Sequence, residues 1–317
     1  YLTGESYGGK YLPAFSYALL KHNEKVGEKV FNLEATLIGD PYAQPITQRT
    51  SMHILPSALN VLDQSNMAQI DALDRKCEEI PSVNLEEGED VCASIMDYIE
   101  NVSGNVYPYD QRIFAYDWDT YEQITIDYFT ISGRVQKIYE EIHVAESTKT
   151  PVFEMGSSAV DAAFTMDNLI NYTNVYEDLL AMGLHLLVYA GEMDAQDGPK
   201  TIEPWIRKMD FEGKKNFWEQ SRQVYYLDVP APDGTPKVGG YFRQHGNLSY
   251  LTVPKAGHFV PNNNYDCSFQ FFTDYIRSDA NGLACHADDC SVVAERCEAM
   301  NNCNSNGACQ ANGQCKC

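Results

Sequence analysis

Ser6 sits in the pentapeptide Gly4-Glu5-Ser6-Tyr7-Gly8, whose Gly-x-Ser-x-Gly spacing suits a nucleophilic hydroxyl held on a tight turn from strand to helix. Neighbours without a Cβ two residues to either side leave room for such a turn. Backbone N–H groups and the dipole at the start of the following helix would then face a developing oxyanion. An ordinary serine N-cap explains the pentapeptide alone equally well. The chemistry of acyl transfer needs two further groups, a base and an acid that orients it.

Both are found downstream in the order serine, acid, histidine, each just beyond a strand-like run. Gly183 to Ala190 is a short apolar run bounded by glycines, which predicts a buried strand, and Asp194 follows it by a few residues. Leu248 to Val253 is rich in β-formers and leads through the turn-like Pro254-Lys255-Ala256-Gly257 to His258. Adjacent parallel strands would deliver both loops to the carboxyl edge of one sheet. Alternatives stay open: Asp194 as a loop aspartate bonding its own backbone, Asp197 as a rival acid, and His258 as a surface residue. His185, inside the apolar run, reads as a core histidine. The conjunction of three groups in the right order and context favours the catalytic reading.

The segments Thr3 to Pro13 and Ala256 to Pro261 are similar to the nucleophile turn and histidine loop of the serine carboxypeptidases. Leu37-Ile38-Gly39-Asp40-Pro41, Tyr109-Asp110-Gln111-Arg112, Val135-Gln136-Lys137, Leu186 to Gly191 and Gly239-Gly240-Tyr241-Phe242 resemble further blocks of that family in order. The resemblance runs from Tyr1 to Ser278. It implies an α/β-hydrolase fold: a mainly parallel sheet flanked by helices, with an inserted helical cap at about 41–127. It also implies that Ser6 attacks the last peptide bond, His258 shuttles the proton, Asp194 orients the imidazole and the Tyr7 amide supplies one oxyanion donor. Glu5 would hold the substrate's free C-terminal carboxylate, which it can do only while protonated or sharing a proton, so hydrolysis is expected to be favoured at acid pH. The plain alternative for Glu5 is an acidic residue welcomed by a helix dipole.

The chain departs from the family pattern in four places. Upstream strands and the glycine-rich loop carrying the second oxyanion donor are missing, which leads us to expect an incomplete sequence or association with a separate N-terminal chain. Ala195-Gln196-Asp197-Gly198 replaces the residues usual after the acid. Phe259 stands where a methionine is common, which would reshape the pocket for the departing residue. Finally, a cysteine-rich stretch at 279–317 follows the hydrolase-like region at 1–278.

With 23 Lys and Arg against 45 Asp and Glu, the net charge of −22 argues against nucleic acid as a partner. No apolar run is long enough to span a bilayer. Seven of the ten cysteines lie between Cys285 and Cys317, a density that predicts a disulfide framework in an oxidising compartment. The Cys303 to Cys317 stretch resembles part of an EGF-like module. The seven cysteines between Cys285 and Cys317 are an odd count, so one would pair outside the tail, with Cys267 or beyond Cys317. Zinc is the competing reading, disfavoured by spacing, so neither metal nor cofactor is expected. Cys77 and Cys92 are candidates to pair with each other. The sequons at Asn101, Asn171 and Asn247 fit a secreted or lysosome- or vacuole-like glycoprotein. Val238 to Gln244 and Leu248 to Val253 predict a hairpin, and Leu12, Phe15 and Leu19 predict the core face of the helix after Ser6. Three functions follow: a carboxypeptidase acting on peptides or proteins with a free C-terminus, an acyltransferase on the same scaffold, or a catalytically silent protein tethered to a partner through the tail.

Overall fold

A computed structural model of the chain describes residues 1–80, 84–120, 134–141, 143, 156–228, 230–277, 283, 308–309 and 315–316. The chain forms a six-stranded sheet from β1 (Leu2–Glu5), β2 (Ala35–Gly39), β3 (His185–Gly191), β4 (Gln223–Leu227), β5 (Lys237–His245) and β6 (Leu248–Val253), of which β3 is the apolar run bounded by glycines. Their spatial order is β1-β2-β3-β6-β5-β4. The pairs β1/β2, β2/β3 and β3/β6 are parallel, whereas β6/β5 and β5/β4 are antiparallel. The expected hairpin is β5/β6, with His245 opposite Leu248. Adjacency of β3 and β6 in parallel sends the loops bearing Asp194 and His258 off the same edge.

Helices cover both faces. One core layer joins Leu37, Leu187, Tyr189, Leu251 and Val253 to Phe271 and Tyr275 of the helix Tyr265–Arg277. The other joins Ile38, Leu186, Val188 and Tyr250 to Tyr176, Ile202, Trp205 and Ile206. Burying such side chains stabilises by roughly 1.5–3 kcal/mol each.

The helix α1 (Gly8–Val26) lies against this second layer by only part of the predicted face, with Leu12 packed on it, Leu19 half-buried and Phe15 outside it. Phe15 is 63 % exposed and the buried positions are Gly9, Lys10, Pro13 and Ser16, with Leu12, Tyr17 and Leu20 packed beside them. Small residues let the helix approach the sheet closely, so that Ser16 Oγ lies 2.7 Å from Thr36 Oγ1. Spacing of large apolar residues missed a face made of small ones.

Across the stretch expected as a cap, the described residues of 41–120 are mainly helical. Helices Gln64–Glu79 and Leu85–Ser103 enclose their own core of Met52, Leu62, Ile70, Ile95 and Ile99. A disulfide between Cys77 and Cys92 joins the two helices. Cys267 is a buried free thiol, its Sγ 3.0 Å from the Gly239 carbonyl oxygen, and the side chains of the tail cysteines offered as its partners lie outside what is described. His185 is half-buried at the first position of β3 rather than deep in the core. In the tail an antiparallel pair, Ala308–Cys309 with Cys315–Lys316, is described. The remaining cysteines of the predicted framework, and residues 121–127 of the cap, lie outside the described residues.

Candidate active site

The turn after β1 places Ser6 with φ at +61°, a left-handed backbone that non-glycine residues adopt at a cost of about 1–3 kcal/mol and that recurs at functional sites. It is held by hydrogen bonds from Ser6 N–H to the Gly39 carbonyl (2.9 Å) and from Tyr42 N–H to the Ser6 carbonyl (2.9 Å). Steric demand falls hardest one residue later than the pentapeptide suggests. A Cβ at Gly9 would lie 2.8 Å from the Tyr42 nitrogen, whereas one at Gly8 would make only ordinary contact with Leu12. Among the described residues, the turn's backbone hydrogen bonds leave the Tyr7 N–H unused.

Tyr7 is anchored elsewhere by its side chain. Its hydroxyl donates to Asp167 Oδ2 (2.6 Å), and Tyr172 donates to Oδ1 of the same carboxylate (2.9 Å). Lys10, 1 % exposed, adds bonds to the Asp167 and Asn168 carbonyls and lies over the rings of Tyr7, Tyr42 and Tyr172. Burial pulls its ammonium down to about 8. This cluster fixes the start of α1 and is not legible from local spacing, because Asp167 lies 160 residues from Tyr7.

At the far side of the edge, His258 Nδ1 lies 2.7 Å from Asp194 Oδ2. Asp194 Oδ1 accepts the N–H groups of Gln196 (2.8 Å) and Asp197 (3.0 Å). Asp197, the rival acid, is turned away: its Oδ1 accepts from Gln48 Nε2 at 2.8 Å. The two loops meet because Gly191 has no side chain; a Cβ there would fall 2.1 Å from the Gly257 carbonyl oxygen. Met193 N–H then reaches the Ala256 carbonyl at 2.8 Å. His258 is further held by its own N–H on the Tyr109 carbonyl (2.7 Å) and by the Tyr109 ring, 4.4 Å centroid to centroid. Burial alone would lower the imidazole's pKa, but Asp194, with Asp197 and Glu5, outweighs it and raises the value.

Glu5 links the two sides. Its carboxyl is pushed up to about 7, mainly by burial and further by Asp194, against the lowering influence of His258 and of hydrogen bonds from Tyr189 and the Val260 N–H. Its Oε2 is buried without a protein partner among the described residues. Thus the residue before Ser6 touches the backbone two residues beyond His258. Beside His258 opens a cavity of about 430 Å³ lined by Tyr107, Tyr109, Trp118, Phe259 and the Asp110–Arg112 ion pair. Trp118 stacks between Tyr107 and Phe259, 5.1 Å from each. Asp40, Asp194 and His258 each bring one donor atom within 4.8 Å of the other two, and the short contact between Asp194 and His258 already engages two of these side chains with each other.

The family profile described as serine carboxypeptidase matches residues 1–278. The chain is similar to a probable serine carboxypeptidase CPVL of Dictyostelium discoideum, 26 % identical over 88 % of this chain and 54 % of that one. It is likewise similar to serine carboxypeptidase-like 48 of Arabidopsis thaliana (27 %, 87 % and 53 %) and to the vitellogenic carboxypeptidase of Aedes aegypti (26 %, 88 % and 57 %). The chain therefore spans about half the length of the curated relatives it matches. In fold it resembles Kex1(delta)p, a prohormone-processing carboxypeptidase from Saccharomyces cerevisiae, with a TM-score of 0.70 at 20 % identity over 86 % of this chain and 60 % of that one. The architecture is an α/β-hydrolase one.

Proposed function

The chain belongs to the serine carboxypeptidase family, and from that premise we propose that it hydrolyses the C-terminal peptide bond of peptides or proteins through an acyl-serine intermediate. The observation that carries the reading is the 2.7 Å contact between the buried His258 and Asp194, at the same sheet edge as the strained Ser6. Ser6 attacks the carbonyl as His258 takes its proton, and Asp194 keeps the imidazole in the tautomer whose other nitrogen is the base. The Tyr7 N–H faces the oxyanion. His258 then protonates the leaving amino acid, and water completes the cycle. Glu5, still protonated in mild acid, donates to the substrate's carboxylate, and its unpartnered Oε2 supports this role. The aromatic cavity beside His258 receives the departing side chain. An oxidising, acidic compartment, secretory or lysosomal, suits the Cys77–Cys92 disulfide and the proton-holding Glu5.

The test is to treat the full-length protein with a fluorophosphonate and to assay release of C-terminal residues from blocked peptides. Labelling of Ser6, with release lost in Ser6→Ala and His258→Ala, supports the reading. Folded protein that is never labelled overturns it. Labelling with acyl transfer to an added alcohol or amine in place of hydrolysis would redirect it to an acyltransferase.

A further inference from the structure

We propose that Asp40 is a positioning residue of this site, a buried acid behind the His258–Asp194 pair that anchors the exit of β3 with one carboxyl oxygen and keeps the other free of protein partners beside that pair. The inference rests on the reading of the site given above. Asp40 stands at the end of β2, between the strand that ends at Glu5 and the one that leads to Asp194. It is fully buried, and its backbone is held at φ +38° with its N–H on the Tyr189 carbonyl at 2.8 Å. Strain of this kind at a buried polar residue persists only where the surroundings impose it. Oδ1 accepts the Gly191 N–H at 3.0 Å, so Asp40 pins the point where the chain leaves β3 for Asp194. Oδ2 has no protein partner among the described residues, and Asp40, Asp194 and His258 each bring one donor atom within 4.8 Å of the other two.

A second buried carboxylate here would be costly. The groups facing Asp40 are Glu5 from β1, Tyr189 from β3, Asp194 and Asp197 from the loop after β3, and Tyr250 from β6, with His258 as the basic member of the set. Burial, followed by the charges of Asp194 and Glu5, raises its pKa well above the usual carboxylate value. As a neutral acid, Asp40 offers one acceptor to Gly191 and one donor on the other oxygen, the pattern that an asparagine amide reproduces. One ionised carboxylate then serves the imidazole; two would hold His258 protonated into the range where it must act as a base.

Asp40→Asn and Asp40→Ala in the full-length protein test this by the low-field imidazole N–H proton resonance of His258, followed against pH, and by the pH profile of kcat/KM. In Asp40→Asn the titration midpoint of His258 should stay within about 0.3 unit, because no charge has been removed, and kcat/KM should remain within about tenfold. In Asp40→Ala, kcat/KM should fall at least about 30-fold with KM little changed, because the donor and the Gly191 anchor are lost together. A His258 midpoint that drops by about a unit or more in Asp40→Asn shows an ionised Asp40 and overturns the proposal. Equal damage by both variants, or none by Asp40→Ala, overturns it as well. If Asp40→Ala does not fold, the two readouts on Asp40→Asn still decide. Failure of Ser6 in the wild type to react with a fluorophosphonate would strike the carboxypeptidase reading instead, leaving the imidazole titration to judge Asp40.

Discussion

His258 Nδ1 meets Asp194 Oδ2 at 2.7 Å while Asp197, three residues on, bonds Gln48 instead. The choice between the two acids follows from the backbone: the Gln196 and Asp197 amides close on Asp194 Oδ1 and leave its second oxygen for the imidazole. Asp194→Asn should lower kcat about 10³–10⁴-fold with KM nearly unchanged, because an amide can present an N–H to Nδ1 and favour the wrong tautomer. Asp197→Asn should cost less than about tenfold. Steady-state kinetics on a blocked dipeptide checks both, and the reverse ranking would reassign the acid.

Glu5 reaches the Val260 N–H and holds its proton up to about pH 7, mainly through burial. Binding of a substrate carboxylate should therefore weaken as pH rises through that value. Glu5→Gln, permanently uncharged, should flatten this limb of the kcat/KM profile and leave any break set by His258 in place. A wild-type profile already flat between pH 5 and 8 would remove Glu5 from carboxylate binding.

Much of this arrangement was legible locally. The strands before Asp194 and His258 announce themselves as glycine-bounded or β-branched runs, and the loops after them carry chemistry because β3 and β6 are parallel neighbours. What the sequence hid is long-range. Asp40 lies in an ordinary-looking Gly-Asp-Pro turn, and its burial follows only from β2 being internal to the sheet. The Tyr7, Lys10 and Asp167 cluster closes across 157 residues or more, beyond the reach of any spacing rule. Phe15 was misplaced because a helix face built from Gly9, Pro13 and Ser16 has no hydrophobic periodicity to read.

Stability should fall as pH rises from about 4 to 7. The carboxyls of Glu5, Asp74 and Asp197 are all raised to about 7, chiefly by burial, so in this window the folded state binds more protons than the unfolded one. The stabilisation is complete below the unfolded values and is lost as pH passes the folded ones. The raised His258 has the same sign, and Lys10, lowered to about 8, opposes it only above that pH. Thermal melts at constant ionic strength should show Tm declining from pH 5 to pH 7.5; a rise across that interval would contradict the burial of these groups.

The Cys77–Cys92 bridge closes a loop of 15 residues between the helices Gln64–Glu79 and Leu85–Ser103. Its loss in the paired Cys77→Ala, Cys92→Ala variant should reduce stability by about 3 kcal/mol on the chain-entropy model, read as a lower midpoint in urea. Cys267→Ala should have no effect of this kind on loop closure, because that thiol is unbridged and the cost is confined to its own packing. An unchanged midpoint in the paired variant would place the cap helices among those already held by Ile70, Ile95 and their neighbours.

Gly9, rather than Gly8, sets the geometry of the Ser6 turn. A methyl group at Gly9 would sit 2.8 Å from both the Pro41 Cβ and the Tyr42 nitrogen, and neither is the tip of a flexible side chain. Gly9→Ala must push the start of α1 away from the segment after β2, straining the bond from Tyr42 N–H to the Ser6 carbonyl and shifting the Tyr7 amide with it. Overpacking of this sort costs about 1–3 kcal/mol, and a displacement near 1 Å at the nucleophile can cost about 10²-fold in rate. Gly8→Ala meets only Leu12 at 3.7 Å and should leave folding intact. Fluorophosphonate labelling rates beside thermal melts separate the two effects: slow labelling in a folded Gly9→Ala protein identifies the turn, and equal rates in both variants would show that the turn absorbs the extra methyl.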